Sequence, residues 1–76
     1  MNPVSACISP DQWLRQLFSA KAAVDGGVIR RQVCDVERIV GRTSFEGEVR
    51  RRGYRMVENA GQYIIFCNRE PVRIVV

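Results

Sequence analysis

The densest group of side chains able to do chemistry is the run Arg50, Arg51 and Arg52 in the stretch EVRRRG. A guanidinium grips phosphate or carboxylate through two parallel hydrogen bonds, so such a run raises the question of an anionic partner. Successive helical residues point about 100° apart, so the three cannot all face one ligand. Arg52 falls three residues after Val49 and seven after Phe45, on the apolar edge, where its stem is expected to lie over the core. Glu46 precedes Arg50 by four residues and Glu48 precedes Arg52 by four, the favourable order for intrahelical ion pairs. This leaves Arg51, together with Arg42 and Arg55, as the free cations expected to contact phosphate. Arg30 and Arg31 are expected to form a separate patch. Twelve basic residues against eight acidic ones give a net charge of +4, which suits an anionic partner. All but one of the twelve are arginine, a bias that a G+C-rich genome also produces without selection for binding.

The remaining reactive groups are three cysteines, Cys7, Cys34 and Cys67, in a chain with no histidine. An odd number at wide spacing is a poor disulfide framework. With no C-x-x-C pair, neither metal nor cofactor is expected. Cys67 reads as a small apolar filler in a strand. Cys34 follows two arginines and stands just before an expected helix start, features that favour a thiolate. All three thiols are expected to be reduced, as in the cytoplasm. Paired carboxylates, a glycine-rich phosphate loop and an activated serine pattern do not appear, so enzymatic chemistry is not expected.

These residues must be positioned by one small domain, residues 1–76. No apolar run approaches the roughly 20 residues that span a bilayer, and "MNPVSACISP" has no basic region followed by an apolar one. In "ISPDQWLRQLFSAKAAVDGG", Ser9 is a natural N-cap, Pro10 suits the first helical position, and Gln12 completes a capping box. Ile8 and Trp13 stand at the positions of a hydrophobic staple. Trp13, Leu14, Leu17 and Phe18 form one stripe, and Gly26 and Gly27 are expected to stop the helix. "VIRRQV" (28–33) alternates and reads as an edge strand. Asp35 is expected to cap a short helix that ends at Gly41. Thr43 and Glu46 form a second capping box, opening a helix 43–52 with Phe45 and Val49 inside and Gly53 as its stop. "YRMV" (54–57), "QYIIFC" (62–67) and "VRIVV" (72–76) read as strands, joined through ENAG, where Asn59 and Gly61 suit positive φ, and through NREP. Both faces of 62–67 are apolar, which suits a central strand.

The expected fold class is therefore α+β: an N-terminal helix, a short strand, two short helices and a C-terminal antiparallel meander. In element order residues 12–67 resemble the winged-helix domain. That resemblance implies a recognition helix at 43–52, entering the major groove, and a wing at 55–62. Helix 43–52 is short for that role and carries Gly47 at its middle. The wording of "WLRQLFSAKAA", "GGVIRR", "DVERIVGR", "EVRRRG" and "FCNREPVR" is similar to a family of short uncharacterised bacterial proteins, some labelled phosphoribosylanthranilate isomerase. That enzyme is an eight-stranded barrel of about 250 residues, more than three times this chain, and the residues do not carry its chemistry.

The expected core is Trp13, Leu17, Phe18, Val36, Ile39, Val40, Phe45, Val49, Ile64 and Phe66. Two partner classes follow, the first the expected one and the second its alternative. One is nucleic acid, through Arg42, Arg51 and Arg55, with Arg30 and Arg31 as a further patch. The other is protein, through the edge of strand 72–76. A continuous positive face joining Arg42, Arg51 and Arg55 favours the first. Scattered arginines paired to acids favour the second.

Overall fold

The computed structural model describes residues 8–76, so Cys7 lies outside the described residues. Its elements are α1 (Pro10–Ser19), α2 (Lys21–Val24), β1 (Val28–Gln32), α3 (Val33–Ile39), α4 (Arg42–Arg51), β2 (Arg55–Asn59) and β3 (Gln62–Phe66). The three strands form one antiparallel sheet in the order β1–β3–β2, with helices packed on one side, an α+β fold. Among the described residues no helix is long and apolar enough to cross a membrane.

The cap of α1 forms as its residues dictate. The Gln12 N–H donates to Ser9 Oγ and the Ser9 N–H donates to Gln12 Oε1, each at 3.1 Å. The helix does not continue to Gly26. Ala20 is extended (φ −60°, ψ 151°), and α2 starts afresh as a single turn. Alanine is the best helix former, so local propensity does not foretell this break. Its effect is to bring Ala23 into the core.

Two further helix starts depart from expectation. Strand β1 passes straight into α3 at Val33, whose N–H donates to the Gly61 carbonyl at 2.9 Å. This bond extends the β1–β3 ladder and satisfies one of the helix's unpaired first donors. Asp35 is thus no cap; it sits in the first turn, where its charge still faces the positive helix end. Helix α4 starts at Arg42, not Thr43, and the Thr43–Glu46 box does not form. Gly41, at φ +97°, is the N-cap, and its carbonyl accepts from the Phe45 N–H at 3.0 Å. A left-handed joint between α3 and α4 needs glycine.

The β2–β3 hairpin closes through Ala60 and Gly61, both at positive φ (52° and 75°). Two positive-φ loop residues are the signature of the tight turn that matches strand twist. Ala60 rather than Asn59 takes the first of these positions.

The expected strand 72–76 is not formed; residues 71–76 have no regular structure and are exposed. The reason lies in the sheet order. A meander would place that strand beside β3, but β2 holds one side of β3 and β1 the other. The Cys67 N–H donates to the Gly27 carbonyl at 2.8 Å and Asn68 Nδ2 to the Gly26 carbonyl at 3.0 Å, prolonging the β1 pairing.

The core centres on Phe45, fully buried, with ring centroids 6.1 Å from Trp13, 6.4 Å from Phe18 and 5.6 Å from Tyr63. Leu17, Phe18, Val36, Phe45 and Val49 are buried as expected, and Trp13 and Val40 pack half-buried against them. Ile39, Ile64 and Phe66 are only half-buried, a correction to the expected core. Strand β3 is central, but helices cover just one of its two apolar faces. The covered face is Tyr63, Ile65 and Cys67, joined by Ile29, which pairs with Ile65. Among the described residues no helix covers the other side of the sheet.

Candidate functional site

Helix α4 and the β2–β3 hairpin lie side by side. Between them runs a groove of about 390 Å³, bordered by Glu46, Val49, Arg50, Tyr54, Met56 and Glu58 among others. Tyr63 reaches it from the sheet. Its hydroxyl is buried and has no hydrogen-bond partner among the described residues. Burial pushes its ionisation up, against the opposing pull of Arg42.

The structure does not bring the five expected phosphate contacts together. Arg42 is tied to acids: its Nε donates to Glu37 Oε2 at 2.9 Å, and its Nη1 stands 4.0 Å from Glu58 Oε1. The hydrogen bond to Glu37 holds the Arg42 guanidinium above its ordinary pKa. Arg51, expected to be free, pairs with Glu48 at 2.7 Å. The same Glu48 oxygen accepts from Arg52 Nε at 2.7 Å. Partial desolvation pushes the Glu48 carboxyl up, but the hydrogen bonds from Arg51 and Arg52 outweigh it and leave it below the usual range. Arg42 and Arg51 stand at opposite ends of α4, about 13 Å apart at 1.5 Å per residue.

Arg52 behaves as its spacing predicts. Its guanidinium carbon lies 4.3 Å from the centroid of the Phe18 ring, so it closes the edge of the core while its head pairs with Glu48. The expected Glu46–Arg50 pair is not formed. Arg50 and Arg55 make no ion pair among the described residues, and both border the groove.

Arg30 and Arg31 cannot form one patch, because neighbours on a strand point to opposite sides of the sheet. Arg31 lies on the helix side, in a cleft of about 270 Å³ with Trp13, Gln16 and Leu17. Arg30 lies on the open side. There the register aligns Val28, Phe66 and Arg55 in one row, Arg30, Ile64 and Val57 in the next, and Gln32, Gln62 and Asn59 in the third. This open side was missed in the sequence. Its signal was present in the second apolar face of 62–67, but which of two apolar faces is covered depends on where the helices pack.

Cys67 is buried, as its reading as a filler requires, and desolvation pushes its thiol up. Cys34 is exposed in the first turn of α3 rather than ahead of it, and both are free thiols. Among the described residues no group of three potential ligands is placed to hold a metal.

Comparison with protein-family models, with curated proteins and with solved structures returns no match.

Proposed function

We propose that this chain is a small protein-interaction module on a frame resembling the winged-helix domain, meeting its partner along β2 and the open side of the sheet. The observation that carries this reading is the internal pairing of the arginines. Around α4 and the hairpin, Arg42, Arg51 and Arg52 pair with Glu37, Glu48 and Glu58. With Arg50, Arg55 and Glu46 counted, which are unpaired among the described residues, the region carries a net of one positive charge. A surface evolved to grip a polyanion carries a basic stripe. Here the basic excess lies elsewhere in the chain. The open sheet side, in contrast, offers apolar residues at its centre with arginines and amides at its margins, the composition of a surface that packs against protein.

One observation favours nucleic acid as a second reading. Arg50 and Arg55 lack acid partners and flank the groove between the helix and the hairpin, where the winged-helix resemblance puts the recognition helix and wing. Arg51 pairs at an exposed position, and such pairs are worth at most about 1 kcal/mol.

Photo-crosslinking separates the two. A photoreactive residue at Val57, on β2, is expected to yield a protease-sensitive, nuclease-resistant product in cells, while one at Ser19, at the exposed end of α1, yields none. A nuclease-sensitive product, or none at Val57, overturns the proposal.

A further inference from the structure

Among the described residues the outer side of β2 is an unpaired sheet edge, since β3 occupies its inner side. Half of an edge strand's backbone N–H and C=O groups point outward and form a template for another strand. The groove beside this edge bears Glu46 and Glu58 together with Arg50 and Arg55. Val57, in the middle of β2, is 40% exposed.

The same chain carries a segment with the opposite deficit. Residues 72–76, VRIVV, are almost entirely β-branched, the composition that fits a pleated sheet, yet they pair with no strand among the described residues. Val72 is 40% exposed, Ile74 91%, Val75 80% and Val76 114%. Arg73 makes no ion pair among the described residues. Within its own chain the segment cannot join β3, whose two sides are filled. To lie beside β2 it would have to pass over the end of that strand and run parallel to it, the slightly less stable pairing. A second copy has no such constraint.

We propose that residues 72–76 of a second copy add as an antiparallel strand to the outer edge of β2, reciprocally, giving an exchanged-strand dimer. Side chains alternate along the added strand. With Arg73 and Val75 on the α4 side, Arg73 meets Glu46 and Glu58, and Val75 lies against Val49 and Met56. Ile74 then falls beside Val57 on the open side and widens its apolar surface. Strand addition of this kind draws affinity from main-chain hydrogen bonds and specificity from alternate side chains. The dimer rests on the protein-interaction reading and names the partner as the chain itself.

Sedimentation of the full chain, up to about 1 mM, tests it. The parent is expected to dimerise. Ile74→Asp, at a position too exposed to disturb the fold, is expected to raise the dissociation constant by at least about tenfold, a loss of about 1.4 kcal/mol. Arg73→Glu should weaken the dimer and the double variant Arg73→Glu/Glu58→Arg should recover it. A parent that stays monomeric across the range, or a dimer indifferent to Ile74→Asp, overturns the proposal. Crosslinks at Val57 distinguish the two failures. A product with a different protein from a monomeric parent removes the dimer and keeps the interaction reading; a nuclease-sensitive product removes both.

Discussion

At the scale of single residues, Arg52 and Glu48 decide how the arginine run is used. Arg52 stacks on Phe18 and pairs with Glu48, so it is part of the core's rim. Arg52→Ala is expected to cost about 1–2 kcal/mol, combining a partly desolvated cation–π contact with a lost ion pair. Chemical denaturation measures this, and an unchanged midpoint would place the side chain in solvent. Glu48 sets the acid response. Its folded pKa is depressed, so its contribution is fully present above the unfolded value of about 4.3 and is lost as pH falls through the lower folded value. Glu48→Gln should therefore destabilise at neutral pH and flatten the decline below about pH 4, as read from melting temperatures across pH. The role of Arg52 was legible because helical spacing alone ties it to Val49 and Phe45. The role of Arg42 was not, since it finds Glu58 on a strand sixteen residues away. That of Arg51 was legible but missed: its partner Glu48 lies at i,i+3, a spacing at which helical side chains also meet.

At the scale of elements, the caps mark where sequence rules hold and where they yield. The Ser9–Gln12 box forms, each side chain accepting from the other residue's backbone N–H. The Thr43–Glu46 box does not, because Gly41 redirects the chain and helix α4 starts one residue early. Strand 72–76 was misread for a topological reason. Composition says that a segment can be a strand, but only the sheet order says whether a neighbour is vacant. Helix α4 also carries a removable weakness. A methyl group added at Gly47 meets nothing within 4 Å, and glycine in a helix interior costs up to about 1 kcal/mol relative to alanine. Gly47→Ala is expected to raise stability by about that amount in a thermal or urea transition. A loss would mean that the exposed face of α4 is covered in the native assembly.

At the scale of the whole molecule, one aromatic residue joins the layers. Phe45 touches rings from α1 and from β3, so helix and sheet meet through it. Phe45→Ala should cost about 3–5 kcal/mol. In a domain whose total stability is about 5 kcal/mol, most of the population should then be unfolded, visible as lost cooperativity in far-ultraviolet circular dichroism. A loss below about 1 kcal/mol would contradict the central place of Phe45. The α+β class, the helix pair and the central position of 62–67 were all readable from periodicity and turn residues. The open sheet side was not, because both faces of that strand are apolar and the covered one is chosen by where the helices pack.

The decisive measurement is the titration of a fluorescent DNA duplex with the parent chain at several salt concentrations, starting near 50 mM. With Arg42 held by Glu37 and Arg51 by Glu48, anisotropy is expected to stay flat at every salt concentration. Saturable binding with a log–log salt slope near −3, made shallower by about one unit in Arg51→Ala, would show that these arginines leave their carboxylates for phosphate, and would contradict the reading of this surface as one that meets protein.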